Sequence, residues 1–124
     1  MLKKLKIAVV EDDPEIRSLL STILCQRLSL PQPSLFNDGA SFTRALTEDG
    51  LFFDVIIMDY RMPEMNGLDT AKLLRNRLKG AKIILTTGYD LKEEARSAGL
   101  LYLQKPFSTE ELARIIEQDI STTS

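Results

Sequence analysis

Short apolar runs alternate with amphipathic segments along the whole chain. Five runs are apolar enough to form buried strands: residues 5–10, 34–36, 53–58, 82–86 and 100–103. Continuous apolar strands separated by helices are typical of a parallel sheet that is covered on both faces. The pattern therefore predicts an α/β protein, a doubly wound (βα)₅ domain with a five-stranded parallel sheet.

The segments between the runs carry helix signals. Asp13 is placed to cap the first helix with Pro14 as its first residue, and Ser108 and Glu111 have the spacing of a capping box. The third helix is expected to start near Asn66 and to end at Gly80. The apolar positions expected to face the core are Ile16, Leu19, Leu20, Ile23 and Leu24; Phe42, Ala45 and Leu46; Leu68, Ala71 and Leu74 or Leu78; Leu91, Ala95 and Ala98; and Leu112, Ile115, Ile116 and Ile120. The fourth set would bury far less area than the first, so the fourth helix is weakly anchored.

Length and composition restrict the class of protein. A chain of 124 residues with a net charge of −2 is one domain, expected over residues 1–120, with residues 121–124 as a tail or the start of a linker. No apolar run reaches membrane length and no signal peptide is evident, so we expect a cytoplasmic protein without a membrane partner. The charge balance gives no basic footprint for direct binding of nucleic acid.

The chain has no histidine and a single cysteine, Cys25. These counts exclude an internal disulfide, a Ser-His-Asp triad and a histidine-activated cysteine. Any chemistry must therefore use carboxylates, hydroxyl groups, lysine or a bound ion.

Polar side chains follow most of the predicted strands. They are Glu11, Asp12 and Asp13; Asp59; Thr86 and Thr87; and Gln104 and Lys105. The carboxyl ends of parallel strands share one edge of the sheet, where ligands bind in such folds. Carboxylates that converge in a cleft repel one another unless a cation neutralises them, and Mg²⁺ prefers such oxygen ligands. We take Asp12 and Asp59 as candidate ligands.

A cation and Lys105 beside Asp59 would form a site that receives a phosphoryl group. Phosphoryl transfer depends mostly on positioning and charge neutralisation, and an aspartate oxygen can act as the nucleophile and form an acyl phosphate. Thr87 could then donate a hydrogen bond to a phosphoryl oxygen.

Four stretches in order, "IAVVEDDP", "DVIIMDYRMPEMNG", "IILTTGY" and "YLQKPF", carry a resemblance to a known family. From residue 5 to about residue 120 the chain resembles the receiver domain of bacterial two-component response regulators. The resemblance implies a flavodoxin-like fold with strand order 2-1-3-4-5, and Mg²⁺ or Mn²⁺ as the cofactor.

The resemblance also implies roles for individual residues. Asp59 would be the phosphorylated aspartate, and Lys105 would pair with the phosphoryl group. Asp12 and Asp59 would ligate the ion directly, Glu11 would do so through water, and Arg61 would contribute its backbone carbonyl.

Further positions match the parts of the family that respond to phosphorylation. Thr87 and Tyr102 correspond to the switch pair, in which the hydroxyl moves toward the phosphoryl group and the aromatic ring swings inward. Arg61 and Tyr89 stand where the family tunes dephosphorylation, and two large side chains there would shield the acyl phosphate from water. Pro106 resembles the family's cis proline.

These roles imply a signalling switch that catalyses its own phosphorylation and dephosphorylation. The donor would be a histidine kinase or a histidine phosphotransfer domain, docked on the first helix near an exposed Arg17. Output to an unknown downstream protein would use a surface of helix 4, strand 5 and helix 5. Two alternatives stay open: a receiver-like interaction module that does not depend on phosphorylation, and the receiver piece of a hybrid kinase. The sequence also leaves open whether phosphorylation drives dimerisation.

Two other classes with related features are disfavoured. A haloacid-dehalogenase-type phosphatase needs a second carboxylate two residues after its nucleophile, where Arg61 stands. A flavodoxin needs a hydroxyl-rich phosphate loop after its first strand, where Glu11, Asp12 and Asp13 would repel a flavin phosphate.

Overall fold

Five parallel strands form one sheet in the spatial order β2-β1-β3-β4-β5, as expected. The computed structural model describes the backbone of residues 4–122 and the side chains of residues 4–117. The strands are β1 (Ile7–Val10), β2 (Ser34–Phe36), β3 (Val55–Asp59), β4 (Lys82–Thr87) and β5 (Leu101–Gln104). The last three of these extend one residue further than predicted, so that Asp59, Thr87 and Gln104 belong to the strands.

Five helices cover the two faces of the sheet. They are α1 (Pro14–Thr22), α2 (Gly39–Thr47), α3 (Gly67–Leu73), α4 (Lys92–Ser97) and α5 (Thr109–Thr122). Helices α1 and α5 pack on one face through Leu20, Leu112 and Ile116, together with Leu24 from the turn that follows α1. Helices α2, α3 and α4 cover the other face. Among the described residues, none of these helices is long and apolar enough to cross a membrane.

The predicted helix caps are confirmed. Asp13 accepts a hydrogen bond from the Glu15 backbone N–H at 2.9 Å, and Pro14 is the first residue of α1. Ser108 and Glu111 form the reciprocal capping box, at 2.8 and 3.0 Å. These side chains satisfy N–H groups that have no partner within their own helix.

The core stripe of α1 differs from the prediction at one position. Leu19 is 57% exposed, whereas Leu20 and Leu24 are buried. At 100° per residue Leu19 lies at the edge of the stripe, so burial of the other leucines turns it outward. After Thr22 the helix widens into a π-helical turn, Ile23–Arg27.

The third helix ends earlier than predicted. It stops at Leu73 and continues as a 3₁₀ turn, Arg75–Arg77, well before Gly80. Leu74 and Leu78 are both buried, which resolves a choice that the sequence left open.

The last two helices largely follow the expected pattern. In α4 only Ala95 is fully buried, with Leu91 and Ala98 half-buried, as the weak apolar pattern predicted. Helix α5 continues through Ser121 and Thr122, which we had expected in a tail, and its backbone is described to that point. The side chain of Ile120 and residues 123–124 lie outside the described part of the chain.

Candidate functional site

Asp59 is the last residue of β3 and is only 6% exposed. Its strand lies between β1 and β4, and the Tyr60 N–H donates to the Thr86 carbonyl at 2.9 Å. A central strand with a fully apolar body therefore holds this carboxylate at the carboxyl edge of the sheet.

Two further carboxylates reach Asp59 from the end of β1. Glu11 is 2% exposed and Asp12 is exposed, and one carboxylate oxygen from each of Glu11, Asp12 and Asp59 lies within 4.8 Å of the others. The Glu11 backbone N–H donates to the Phe36 carbonyl at 3.0 Å, which fixes the chain as it leaves the sheet. The prediction that these three acids converge at one edge of the sheet is confirmed.

Lys105 joins the acidic cluster from the end of β5. Its ammonium donates to Asp59 Oδ1 at 2.8 Å and to Glu11 Oε1 at 3.2 Å. Its backbone N–H donates to the Thr87 carbonyl at 2.8 Å, and the Lys105–Pro106 peptide bond is cis, as the resemblance implied. One lysine therefore bridges both buried carboxylates.

Burial shifts the protonation equilibria of these groups. The pKa of Asp59 is raised by burial, although its hydrogen bond from Lys105 opposes the shift. The pKa of Glu11 is raised by burial and by repulsion from Asp59. Burial lowers the pKa of Lys105, but its hydrogen bonds and proximity to Asp59 and Glu11 outweigh that effect and raise it. A further cation would relieve the repulsion between the acids.

The donor set at this edge fits a small divalent cation. Hard carboxylate oxygens from Glu11, Asp12 and Asp59 are ligands that Mg²⁺ or Mn²⁺ accepts, and Arg61 lines the same cleft. Lys105 carries one positive charge and can neutralise only one of the three carboxylates when all are ionised. The remaining negative charge favours binding of a cation.

Thr87 lies beside the acids at the end of β4 and is 2% exposed. Its hydroxyl oxygen accepts a hydrogen bond from the Tyr89 N–H at 3.1 Å. Within the described residues its hydroxyl proton has no acceptor, so it is available to a group bound at Asp59.

An open cleft of 540 Å³ leads from solvent to these groups. Arg61 and Tyr89 line it from two different loops, and the Arg61 guanidinium donates to the Tyr89 hydroxyl at 3.3 Å. The sequence placed both residues near the site, and their contact with each other was not anticipated.

Tyr102 is half-buried on β5 and packs against the buried cluster of Leu68, Leu85 and Ala95. Its hydroxyl donates to the Tyr89 carbonyl and accepts from the Leu91 N–H at 3.3 Å. It is therefore attached to the loop between β4 and α4.

Arg17 and Gly67 both contact the backbone around the acidic cluster, which their places in the sequence do not indicate. Arg17 was expected to be exposed, but it is half-buried and its guanidinium donates to the Glu11 carbonyl at 2.8 Å. Gly67 donates its N–H to the Tyr60 carbonyl at 2.8 Å and passes directly against the Asp59 backbone. Arg17 therefore supports the acidic end of β1.

Comparison with known proteins places these features in a family context. The response regulator receiver domain family matches residues 7–117. The chain is 34% identical over 121 residues to the probable chemotaxis protein CheY of Rhizobium etli, covering 93% of this chain and 92% of that protein. It is 32% identical over 124 residues to the transcriptional regulatory protein FixJ of Bradyrhizobium diazoefficiens and 30% identical over 123 residues to the regulatory protein AtoC of Escherichia coli. These matches cover 97% and 96% of this chain, but it spans only 58% of FixJ and 26% of AtoC.

Solved structures show the same similarity. The receiver domain of the Francisella response regulator 1452 superposes with a TM-score of 0.82 at 25% identity, covering 97% of this chain and 99% of that one. A BeF₃-activated DrrB receiver domain gives a TM-score of 0.82 at 26% identity, with 96% and 99% covered.

Proposed function

Because this chain belongs to the response regulator receiver domain family, we propose that it is a switch in which Asp59 accepts a phosphoryl group from a phosphohistidine donor. The observation that carries the proposal is the meeting of Asp59, Glu11, Asp12 and Lys105 at one edge of the sheet. The phosphohistidine would lie outside these 124 residues, on a histidine kinase or a phosphotransfer domain, since they contain no histidine.

The transfer requires few chemical groups. A carboxylate oxygen of Asp59 attacks phosphorus, the phosphorus–nitrogen bond of the donor breaks, and the electron pair leaves with the imidazole. Glu11 (through water), Asp12, Asp59 and the Arg61 carbonyl would hold Mg²⁺ or Mn²⁺, which neutralises charge on the phosphoryl oxygens when bound. The Lys105 ammonium, already 2.8 Å from Asp59, shifts to a phosphoryl oxygen once the carboxylate has become an acyl phosphate.

The signal would travel through Thr87 and Tyr102 to a surface formed by α4, β5 and α5. The buried Thr87 hydroxyl donates to the phosphoryl group, and Tyr102 responds through the loop that both residues contact. Helix α4 has a single fully buried residue, Ala95, which suits an element with two packings of similar energy. The output partner binds this surface in only one of the two packings of α4. If a beryllofluoride adduct leaves amide exchange in α4 and β5 unchanged, this part of the proposal is wrong.

The donor would dock on α1, beside the acidic end of β1. Leu19 offers 57% of its surface to solvent on this helix, and a donor docked on α1 would cover it. Leu19→Ser should slow transfer from a phosphorylated donor domain and leave the reaction with acetyl phosphate unchanged.

Arg61 and Tyr89 would prolong the phosphorylated state by limiting access of water. Both line the cleft, and their side chains contact each other across it. Arg61→Ala and Tyr89→Ala should each speed the loss of the phosphoryl group. Unchanged decay rates in both variants would remove the shielding idea.

The decisive test is incubation with acetyl phosphate and Mg²⁺, followed by intact mass measurement. Wild type should gain the mass of one phosphoryl group. It should not gain this mass when Mg²⁺ is chelated before the incubation, and Asp59→Asn should gain none in either case. Absence of the gain in wild type would contradict the proposal and favour an interaction module that works without phosphorylation.

A further inference from the structure

Tyr89 connects three parts of the site that are otherwise separate. Its N–H donates to the Thr87 hydroxyl at 3.1 Å, its carbonyl accepts from the Tyr102 hydroxyl, and its own hydroxyl accepts from Arg61 at 3.3 Å. Its ring also meets the Tyr60 ring edge-on, with centroids 6.2 Å apart. One residue therefore touches the switch threonine, the switch tyrosine and the side chain that covers the cleft.

The contact between the Arg61 and Tyr89 side chains does little to hold these two residues in place. Arg61 is exposed, Tyr89 is 50% exposed, and a single hydrogen bond between exposed groups contributes little to their ordering. Gly88, just before Tyr89, has open space around it and restricts the loop little. Apart from its edge-on contact with the Tyr60 ring, the Tyr89 side chain therefore depends on its backbone for its position.

Tyr102 supplies that backbone anchor. Its hydroxyl donates to the Tyr89 carbonyl and accepts from the Leu91 N–H, which also donates to the Tyr89 carbonyl at 3.1 Å, so that Tyr102 ties this closed three-residue turn to β5. Its side chain packs in turn against the buried cluster of Leu68, Leu85 and Ala95. Tyr102 therefore lies on β5, part of the proposed output surface, and holds the backbone of Tyr89, whose side chain lines the cleft.

We propose that Tyr102 is a positioning residue for dephosphorylation: through the Tyr89 backbone its hydroxyl holds the Arg61–Tyr89 pair over Asp59 and slows hydrolysis of the acyl phosphate. In that hydrolysis water attacks phosphorus, the bond from phosphorus to the Asp59 oxygen breaks, and inorganic phosphate and a proton leave. The inference rests on the proposed function of Asp59. It implies that a partner which draws Tyr102 away from Tyr89 shortens the signal, and one which keeps the contact prolongs it.

A double-mutant cycle tests the inference. Each variant is phosphorylated with acetyl phosphate and Mg²⁺, the donor is removed, and decay is followed by intact mass. Tyr102→Phe keeps the ring but loses both hydrogen bonds, and should speed decay by roughly fivefold, the factor that corresponds to one net hydrogen bond. In a Tyr89→Ala background the same substitution should change decay by less than about twofold, since the side chain to be positioned is absent.

A matched control removes a hydroxyl group from another tyrosine. Tyr60→Phe keeps the ring that meets Tyr89, and the Tyr60 hydroxyl makes no hydrogen bond among the described residues. Amide exchange should separate a local effect from general loosening: in Tyr102→Phe the Leu91 amide keeps only its 3.1 Å bond to the Tyr89 carbonyl and should exchange faster, while the amides of β1 and β3 should not change. Faster exchange throughout the sheet would overturn the inference.

The remaining outcomes separate the inference from its premise. If wild type never gains a phosphoryl group, the proposed function fails. If wild type gains it and Tyr102→Phe decays at the wild-type rate or more slowly, the proposed function stands and the role of Tyr102 is wrong. Equal acceleration by Tyr102→Phe with and without Tyr89 would also overturn it, because the effect would then not pass through Tyr89.

Discussion

Replacing Gly67 by alanine should disturb both the stability of the domain and its reactive carboxylate. A Cβ atom at this position would lie 2.2 Å from the Asp59 carbonyl oxygen and 3.0 Å from Met58 Cγ. Real Cβ atoms essentially never approach closer than 3.0 Å, so the two segments must separate by at least about 0.8 Å. Met58 is fully buried and β3 lies between two other strands, so most of the movement must occur at the start of α3.

The size of the effect follows from this displacement. Overpacking of a buried contact costs about 1–3 kcal/mol of unfolding free energy. For a domain of this size that corresponds to a fall in melting temperature of roughly 4–12 °C. A misplacement of 1 Å at a reacting group can slow chemistry by up to about 100-fold, and Asp59 takes only the smaller share of the movement, so phosphorylation by acetyl phosphate should slow by up to about tenfold.

Thermal unfolding followed by far-ultraviolet circular dichroism measures the first effect, and intact mass against time measures the second. Gly88→Ala is the control for stability, because a Cβ there meets nothing within 4 Å and the backbone needs no left-handed conformation. It should change the unfolding free energy by less than about 1 kcal/mol. If Gly67→Ala melts and reacts like wild type, the close approach of Gly67 to Asp59 does not constrain the site.

Three other predictions address the cap of α1, its core stripe and the acidic cluster. Asp13→Ala should lower the unfolding free energy by about 1 kcal/mol through loss of the N-cap and leave Mg²⁺-dependent phosphorylation intact; a loss of phosphorylation would show that Asp13 is more than a cap. Leu20→Ala should cost about 2–5 kcal/mol in urea unfolding, whereas Leu19→Ser should cost less than about 0.5 kcal/mol, and equal costs would contradict their assigned burial. Since burial raises the pKa of Glu11 and Asp59, Mg²⁺ must compete with protons for these carboxylates as the pH falls, so its affinity should weaken progressively in acid; calorimetric titrations that give one affinity from neutral pH down to the onset of acid unfolding would contradict this.

The sequence was sufficient for the sheet and for the acidic cluster because both depend on local pattern. Apolar runs that end in acids define strands and their carboxyl ends, and parallel topology then brings Glu11, Asp12 and Asp59 together. The caps at Asp13 and Ser108 were equally local, since each side chain bonds a backbone group within three residues.

Features that depend on tertiary geometry were not predictable in the same way. Arg61 and Tyr89 are 28 residues apart on different loops, and their contact is set by how β3 and β4 place those loops. Leu19 follows the helical repeat but lies at its edge, where neighbouring packing decides exposure. Arg17 resembles an ordinary surface charge until the turn after β1 brings the Glu11 carbonyl within its reach.

The arrangement around Tyr89 also gives the protein an optical property. The chain has three tyrosines and no tryptophan, and Tyr60, Tyr89 and Tyr102 all meet at the loop between β4 and α4. Its intrinsic tyrosine fluorescence therefore originates entirely in the region that joins the phosphorylation site to the output surface. The unlabelled protein should report a change of state there in real time, without an introduced dye or reporter residue.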